Sequence, residues 1–417
     1  MTDFLGSLPE GWAETRLDRI ATVNARIGWK ALTASEYQPD GYAFLATPNI
    51  KNPEIDFTNV NYISEFRYNE SPELKLQVGD VLLAKDGNTL GIVNIVRHLP
   101  RAATVNGSIA VLRSHGMEPR FLRYAIQSSF IQGHINSVKD GMGVPHLFQR
   151  DIKRFPLPAP PVEEQRRIAD FLDAEVGRID HLVTKKRRLI ELLNERIDSR
   201  VLGHVGASTL VDMNGTPTTP IHRILDKVVR PPKAGEDTIT AYRDGQVTAR
   251  STRRAEGYTL SASAEPQGQH VEVGDVVVHG LDGFAGAIGT SEASGNCSPV
   301  YHVCVPRGNG DARFLGRLLR LLALQGYLGN FATSTRERAV DFRNWDLFGR
   351  IPIPITPSAE QREIGDWISK ISPLRRVIER SAVLAAERRQ ALITAAVTGQ
   401  FDVSAASGRN LTEGVST

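Results

Sequence analysis

One stretch of this sequence occurs twice. FPLPAPPVEEQRRIADFLD occupies residues 155–173, and IPIPITPSAEQREIGDWIS occupies residues 351–369, which lie 196 positions further along. Eight of the nineteen positions are identical, including three prolines and the run Glu-Gln-Arg. Proline cannot donate a ladder hydrogen bond, so each proline-rich part predicts the end of a sheet. The polar run that follows predicts the start of a helix.

The repeat extends beyond this stretch. VGDV at 78–81 returns at 273–276, and RFL at 120–122 returns at 313–315. Short runs rich in β-branched residues, punctuated by Gly, Asn, Asp and Pro, precede each proline-rich stretch and predict sheets with extended loops. The sequence therefore predicts two similar halves, each a β-rich domain followed by a long helix.

The two predicted helices carry one apolar stripe each. Apolar residues recur at steps of three, four and seven between positions 168 and 201, and a comparable stripe lies between 364 and 396. A helix of about forty residues spans roughly 60 Å. Such a stripe needs a partner, so we expect helix against helix; the alternative is that each helix packs on its own domain. Ser358 and Gln361 have the spacing of a capping box, and Pro373 is expected to kink or restart the second helix.

The predicted fold class is α+β, with two similar β-rich domains separated by two long helices in an internal repeat. The expected boundaries are a first β-rich domain at 1–160, a first spacer helix at 161–205, a second β-rich domain at 206–356, a second spacer helix at 357–400 and a tail at 401–417.

Composition limits the class of protein. A chain of 417 residues, 41% hydrophobic and 23% charged, is typical of a globular protein with two or more domains. A net charge of +3 allows a local DNA-binding face without demanding one. The start lacks the pattern of a signal peptide, and no apolar run is long enough to span a membrane. Two cysteines, Cys297 and Cys304, are too few for a disulfide scaffold, so we expect a cytoplasmic protein.

A rod with a domain at either end suits a partner that has a regular repeat along its length. DNA is such a partner, with one helical turn every 34–36 Å or so. Because the two β-rich domains differ in sequence, they would recognise two different short base sequences. The architecture therefore predicts a bipartite, asymmetric DNA site.

Base reading needs polar or cationic side chains on exposed loops, and such residues cluster at a few places in each half. The candidates in the first half are Arg26, Lys30, Lys51, Asn52, Lys85, Asn88, Thr89, Lys139, His146 and Gln149. The candidates in the second half are His279, Thr333, Ser334, Thr335, Arg336, Arg338 and Arg343.

Several motifs together resemble the specificity subunits of type I restriction–modification systems. They are LPEGW near the start, PLPAPPVEEQRRI, PIPITPSAEQREI and the closing AVTGQFDV. The resemblance implies that each β-rich domain is a target-recognition domain and that the two helices form an antiparallel coiled coil. It also implies a non-catalytic chain that binds double-stranded DNA, modification (methyltransferase) subunits and a restriction (motor-nuclease) subunit. S-adenosylmethionine, ATP and Mg would then be bound by those partners, and no cofactor by this chain.

Two other functions are compatible with the sequence. One is a coiled-coil scaffold whose β domains bind proteins. The other is a magnesium-dependent nuclease, because Pro39-Asp40 and Glu73-Leu74-Lys75 match the loose PD…ExK pattern that can hold a divalent ion. No Gly-Lys dipeptide, HExxH or Asn/Asp-Pro-Pro-aromatic motif is present, so the sequence offers no P-loop, zinc-protease or adenine-methyltransferase signature.

Overall fold

A computed structural model describes residues 8–25, 32–140, 145–205, 217–253, 268–331 and 341–403. The described residues fall into two units. Unit 1 comprises those of Met1–Lys185 and Ser381–Thr417, and unit 2 comprises those of Lys186–Arg380.

Unit 1 is built on a four-stranded antiparallel sheet in the order β2-β8-β5-β6, next to a three-stranded sheet in the order β4-β3-β7. A two-stranded ladder of β1 and β9 joins the start of the unit to the proline-rich stretch. The strands are β1 (Ala13–Arg16), β2 (Ala21–Asn24), β3 (Tyr42–Leu45), β4 (Asn61–Ile63), β5 (Val81–Ala84), β6 (Val93–Ile95), β7 (Ala103–Val105), β8 (Ile109–Ser114) and β9 (Pro156–Ala159). The helices are α1 (Leu17–Ile20), α2 (Thr47–Ile50), α3 (Glu65–Asn69), α4 (Pro119–Gln127), α5 (Ser129–Val138), α6 (Gln149–Ile152) and the long α7 (Val162–Val205), which continues into unit 2.

Both faces of the four-stranded sheet in unit 1 are buried. Val81 and Leu83 of β5 join a core formed with α4, α5 and the start of α7. Their neighbours Leu82 and Ala84 point to the other face, into a core shared with the three-stranded sheet. This explains why VLLA is continuously apolar rather than alternating, since side chains of a strand alternate between faces and here neither face is exposed to water.

Unit 2 repeats this plan. Its four-stranded antiparallel sheet has the order β11-β18-β15-β16, and β10 pairs with β19 at the second proline-rich stretch. Val276 and Val278 of β15 face the helical core, whereas Val277 faces the opposite one. The strands are β10 (Thr218–Pro220), β11 (Leu225–Val228), β12 (Ile239–Ala241), β13 (Val247–Ala249), β14 (Gln269–Val271), β15 (Val276–His279), β16 (Ile288–Thr290), β17 (Gly295–Cys297), β18 (Tyr301–Pro306) and β19 (Pro352–Pro354), and the helices are α8 (Ala312–Leu324), α9 (Trp345–Phe348) and α10 (Ser358–Val397).

The two units therefore share one sheet order and one connection to the long helices. The predicted α+β class and the predicted internal repeat are confirmed. The differences lie in the smaller sheets: β3 and β7 of unit 1 pair in parallel, whereas unit 2 has two separate antiparallel pairs, β12-β13 and β14-β17.

The long helices pack against each other and run in opposite directions within each unit. In unit 1, Phe171 of α7 lies 5.6 Å from Phe401, just past the end of α10, measured between ring centroids. Further along α7, Asp180 pairs with Arg389, which lies earlier in α10. In unit 2, Arg200 near the end of α7 pairs with Glu363 near the start of α10. The expectation of helix against helix is confirmed, and the alternative of two independently packed helices is wrong.

The helix α10 runs through Pro373 without interruption, so the predicted restart is wrong. Proline removes only one amide donor, and the turns on either side keep their own bonds. The hydroxyl of Ser372 also donates to the carbonyl of Ile368 at 3.0 Å. One missing bond is thus insufficient to end a helix that is held along its length by tertiary contacts.

The repeated glutamine bridges the sheet domain and the helix in each unit. In unit 1, Gln165 Oε1 accepts a bond from the Glu118 amide at 2.8 Å, and its Nε2 donates to the Pro160 carbonyl at 2.8 Å. In unit 2, Gln361 accepts from the amide of Asp311 at 3.1 Å and donates to the carbonyl of Thr356 at 2.7 Å.

Both glutamine side chains are buried. The predicted capping box of Ser358 and Gln361 is consequently wrong. The side-chain amide of Gln361 bonds Asp311 of the sheet domain and Thr356 of the linker, and not the start of the helix.

A second repeated contact reinforces this junction. Arg120, the first residue of RFL in unit 1, donates to Asp170 of α7 at 2.6 Å. Its counterpart Arg313 donates to Asp366 of α10 at 3.2 Å. All four residues belong to the repeated motifs, so the sequence repeat preserves the contacts that attach each sheet domain to its helix.

We expect Gln165→Ala to lower the free energy of unfolding by about 1–3 kcal/mol, because it leaves the partly buried amide of Glu118 and the buried carbonyl of Pro160 without this partner. Gln361→Ala should have a similar effect through unit 2. The control is Arg166→Ala, which removes only an exposed ion pair with Glu163 and should cost less than about 1 kcal/mol. Urea unfolding followed by far-UV circular dichroism measures these changes, and equal effects of Q165A and R166A would contradict the assignment.

Candidate nucleic-acid interface

The loop between β5 and β6 carries three of the sequence candidates: Lys85, Asn88 and Thr89. A short 3-10 turn at Gly87–Thr89 shapes it. Gly87 and Gly91 both have positive φ, at 66° and 89°, which only glycine adopts without strain. The amide of Gly91 then returns to the carbonyl of Ala84 at 2.9 Å and closes the loop.

The segment that leads to the first proline-rich stretch lies against this loop. The amide of Leu147 donates to the carbonyl of Lys85 at 2.9 Å, and the amide of Gly87 donates to the carbonyl of Pro145 at 2.8 Å. The structure thereby brings His146 and Gln149 next to the β5–β6 loop. We call Lys85–Gly91 together with Pro145–Arg150 loop cluster 1.

Asp86 is the electrostatic centre of loop cluster 1. Its carboxylate pairs with His146 Nδ1 and accepts a bond from Lys85 Nζ at 3.2 Å. Burial raises the pKa of Asp86, but the bonds from His146 and Lys85 outweigh it, so the pKa lies below its ordinary value. The ionised carboxylate therefore neutralises Lys85, which is largely buried and is held inside the cluster.

The remaining candidates of this cluster, and Lys139 beside it, differ in how exposed their side chains are. Asn88 is exposed. Thr89 donates its hydroxyl to the carbonyl of Asp86 at 3.1 Å, and Gln149 donates to the carbonyl of Val23. Lys139 is exposed and bonds Asn136 at 3.0 Å. Asn88 and Lys139 are thus the side chains best placed to meet an incoming partner.

Sequence reasoning missed an aromatic residue in loop cluster 1. Phe148 is 39% exposed. The ring of His146 meets its edge at 4.6 Å, and the guanidinium of Arg150 lies 4.8 Å from its centroid. An exposed ring beside a cation is a pairing on which nucleic-acid bases stack. The signal was available in HLFQR, where a phenylalanine stands between basic and polar residues.

Lys51 and Asn52 lie apart from loop cluster 1, just after α2. Both side chains are exposed. The backbone of Asn52 is fixed because its carbonyl accepts a bond from Asn94 Nδ2 at 2.8 Å. These two residues line a polar groove with Gly91, the last residue of loop cluster 1.

The equivalent place in unit 2 has the same backbone frame with other side chains. The amide of Phe342 donates to the carbonyl of Gly280 at 2.8 Å, as Leu147 does to Lys85 in unit 1. His279 ends β15, and its Nδ1 accepts the amides of Leu281 and Asp282, each at 3.1 Å. We call His279–Gly286 together with Asp341–Asn344 loop cluster 2.

Charges in loop cluster 2 are largely paired. Burial lowers the pKa of His279, so the ring is neutral at pH 7 and serves as an acceptor. Arg343 donates to both carboxylate oxygens of Asp341, at 2.5 to 3.0 Å. Arg243 pairs with Asp282 at 2.8 Å. A partner of this cluster would therefore meet exposed, paired arginines in place of the buried lysine of loop cluster 1.

Seven sequence candidates lie outside the described residues. They are Arg26, Lys30, Thr333, Ser334, Thr335, Arg336 and Arg338.

Two residues of the nuclease-like pattern, Asp40 and Lys75, are engaged elsewhere. Asp40 pairs with Arg101 at 2.8 Å. Lys75 Nζ donates to Asn69 at 2.6 Å and lies 4.5 Å from the ring centroid of Tyr68. Across the described ranges, no group of three His, Cys, Asp or Glu side chains is arranged to hold a metal ion. In the same part of the chain, no helix is both long and apolar enough to cross a membrane.

Comparison with known proteins gives the family context for these loops. Residues 9–192 match the family model of the type I restriction modification DNA specificity domain. The resemblance to type I specificity subunits is confirmed. The matched residues cover the sheets of unit 1, loop cluster 1 and most of α7, so this half of the chain is similar to a specificity domain.

Two curated specificity subunits match parts of the chain. The StySPI specificity subunit of Salmonella potsdam is 24% identical over 209 residues, which are 49% of this chain and 44% of that protein. The EcoKI specificity subunit of Escherichia coli K12 is 22% identical over 275 residues, which are 65% of this chain and 57% of that protein. The matched segments thus span about half the length of these relatives.

A solved structure shares the fold. A chain from a study of the "complex assembly" and "conformational transition of the type I R-M system" superposes with a TM-score of 0.51. The superposition covers 95% of this chain and all of that chain, at 16% sequence identity. At that identity the likeness concerns the fold alone.

We expect Asp86→Asn to destabilise the chain by about 1–2 kcal/mol at pH 7, because Lys85 loses its counter-charge in a largely buried position. The pKa of Asp86 is lower in the folded than in the unfolded state, so its carboxylate stabilises the fold above the unfolded pKa of about 3.9. That contribution is lost as the pH falls through the folded pKa. The difference between D86N and the unchanged chain should therefore shrink toward acidic pH.

Urea unfolding at pH 7 and at about pH 2.5, well below the unfolded pKa and toward the folded one, measures this difference. Glu14→Gln is the control, because it removes one negative charge from an exposed position of unit 1. An effect of D86N that is equal at both pH values would show that the Asp86 charge does not hold the cluster.

Proposed function

We propose that this chain is the DNA sequence-specificity subunit of a type I restriction–modification complex and reads a bipartite, asymmetric DNA site. Each unit would contribute one target-recognition domain and read one half of the site. The observation that carries the proposal is the repeat itself: the same sheet order and the same glutamine junction occur twice. Two recognition domains that bind different base sequences would need this arrangement, in which the sheets and the helix junction are the same and the loops differ.

The asymmetry of the site follows from the two loop clusters. Cluster 1 presents exposed Asn88 and Phe148 around a neutralised Lys85–Asp86–His146 group. Cluster 2 has a neutral His279 and the paired Arg343 at the corresponding place. Because base edges are distinguished by their donors, acceptors and methyl groups, two clusters of different chemistry would select different base sequences.

The candidate reading residues remain those predicted from the sequence, with Phe148 and Arg150 added. In unit 1 we assign base or phosphate contact first to Asn88 and Phe148, which are exposed on loop cluster 1, and to Lys139, whose neighbour Asp140 pairs with His146 of that cluster. The segment 333–338, with its two arginines, is the counterpart in the second half.

In this proposal the chain performs no catalysis of its own. It would dock modification subunits that methylate adenine with S-adenosylmethionine, and a motor-nuclease subunit that uses ATP and Mg, in the cytoplasm. The names of the matched relatives support this assignment, since both are specificity subunits of type I restriction enzymes. The pairing of Asp40 with Arg101 favours this assignment over a magnesium nuclease.

The test is to map methylated adenines in the genome of a cell that expresses this chain with its modification subunit. The expected result is methylation at one split sequence, with two different half-sites separated by a constant number of base pairs. Purified complex should also protect that sequence among random DNA. Binding with no sequence preference would contradict the proposal and favour the scaffold alternative.

We further expect substitutions in the two units to act on separate halves of the site. Asn88→Ala with Thr89→Ala should relax or change one half-site, because each lost base contact costs about 1–3 kcal/mol of discrimination. Replacing residues 333–338 by alanine should change the other half-site only. The measurement is methylation mapping of each variant beside the unchanged chain. If either replacement altered both halves, the two-reader arrangement would be wrong.

A further inference from the structure

The polar groove of unit 1 that Lys51 and Asn52 line has an excess of positive charge. It lies between α4, the strand β6 and the unit 1 segments of α7 and α10. Its charged lining residues are Lys51, Arg123, Arg389 and a single carboxylate, Asp180. Arg389 Nε already donates to Asp180 at 2.9 Å. Lys51 and Arg123 therefore have no carboxylate partner among the residues that line the groove.

Arg123 is the unusual residue in this groove. It is only 6% exposed, and its Nε is buried with no hydrogen-bond partner. Its guanidinium lies 5.0 Å from the ring centroid of Tyr124, and within the described ranges it forms no ion pair. The nearby carboxylate of Asp173 is occupied, because it accepts the Tyr124 hydroxyl at 2.8 Å and pairs with Arg97 at 2.6 Å.

A buried charge without a partner is costly, and native proteins pair such groups with an opposite charge or a ligand. Burial lowers the pKa of Arg123, and the charges of Arg97 and Arg389 act in the same direction, whereas Tyr124 and the charge of Asp173 oppose them. Arginine nevertheless stays protonated at neutral pH. Gln127 Oε1, one turn further along α4, is also buried and unpaired. The groove therefore contains a buried cation that forms no ion pair within the described ranges.

The corresponding place in unit 2 is built differently. RFLR at 120–123 corresponds to RFLG at 313–316, so Gly316 stands where unit 1 has Arg123. A Cβ at Gly316 would meet the hydroxyl of Thr290 at 2.9 Å, which leaves no room for a long side chain. The arginine at this position is thus a property of unit 1 and is not required by the repeated frame.

We propose that this groove binds a phosphate group through Arg123, with Lys51 and the Asn52 side chain at its rim. A phosphate supplies both the negative charge and the acceptor oxygens that a guanidinium fork engages in a bidentate manner. Its source would be the DNA backbone, a step that rests on the proposed function, or free phosphate in solution. A backbone contact here would position the DNA without reading its sequence.

The test compares Arg123→Met, which keeps the apolar volume and removes the charge, with Arg178→Met. Arg178 is an exposed residue of the unit 1 segment of α7, paired with Glu175, so R178M controls for the change in net charge. For DNA, the full chain with its modification subunit is titrated against the specific duplex at several salt concentrations. For free anion, the melting temperature of the full chain is followed against inorganic phosphate, with sulfate-free chloride buffer of equal ionic strength as reference.

If DNA is the source, R123M should weaken binding at least tenfold and reduce the slope of log K against log salt by about 1, while R178M stays within threefold of the unchanged chain. If free phosphate is the source, phosphate should raise the melting temperature of the unchanged chain and of R178M but not of R123M. In both cases R123M without ligand should melt at the same or a higher temperature, because an unpaired buried charge has been removed.

The site is refuted if R123M leaves both the salt slope and the phosphate response unchanged. A second outcome also refutes the site. In it, R123M melts at a lower temperature than the unchanged chain, and Arg123→Lys, which keeps the charge, restores neither the salt slope of DNA binding nor the phosphate response. Failure of the proposed function looks different, because the unchanged complex would then show no preference for a split sequence.

Discussion

The arrangement of this protein depends on a buried amide that joins each sheet domain to a long helix. Gln165 and Gln361 each use the side-chain carbonyl to accept an amide from the sheet domain and the side-chain NH2 to donate to the proline-rich linker. Glutamine is suited to this place because it is a donor and an acceptor at once. Since an unpaired polar group in a core costs stability, the amide fixes the direction in which the helix leaves the domain.

A second constraint keeps the sheets alike while the loops differ. In each VGDV motif the aspartate is buried and binds an arginine, Asp80 with Arg113 and Asp275 with Arg230. Both sheets are covered on their two faces, so their strands tolerate few changes. The loops at the ends of β5 and β15 share one backbone bond, Leu147 to Lys85 in unit 1 and Phe342 to Gly280 in unit 2. Exposed loop side chains such as Asn88 can vary without disturbing the fold.

The pairing of charges separates residues that hold the structure from residues that are available to a partner. Lys85, Arg120 and Arg313 all have carboxylate partners in the folded chain. Arg123 differs from these three, since it forms no ion pair within the described ranges and is buried beside carboxylates that are already occupied. Cys297 and Cys304 lie in β17 and β18, where burial raises the pKa of both thiols, and they belong to the core.

The amino-acid sequence by itself determined the repeat, the α+β class, the two long helices and the resemblance to type I specificity subunits, because prolines, apolar periodicity and duplicated motifs are local signals. It could not determine that Gln361 serves the domain junction rather than a capping box, that α10 continues through Pro373, or that Lys85 is neutralised by Asp86. It also missed Phe148, and it did not single out Arg123 although it had identified the helix that carries it. Tertiary structure decided these points, since the partner of a buried polar group comes from residues distant in the chain and no local pattern specifies it.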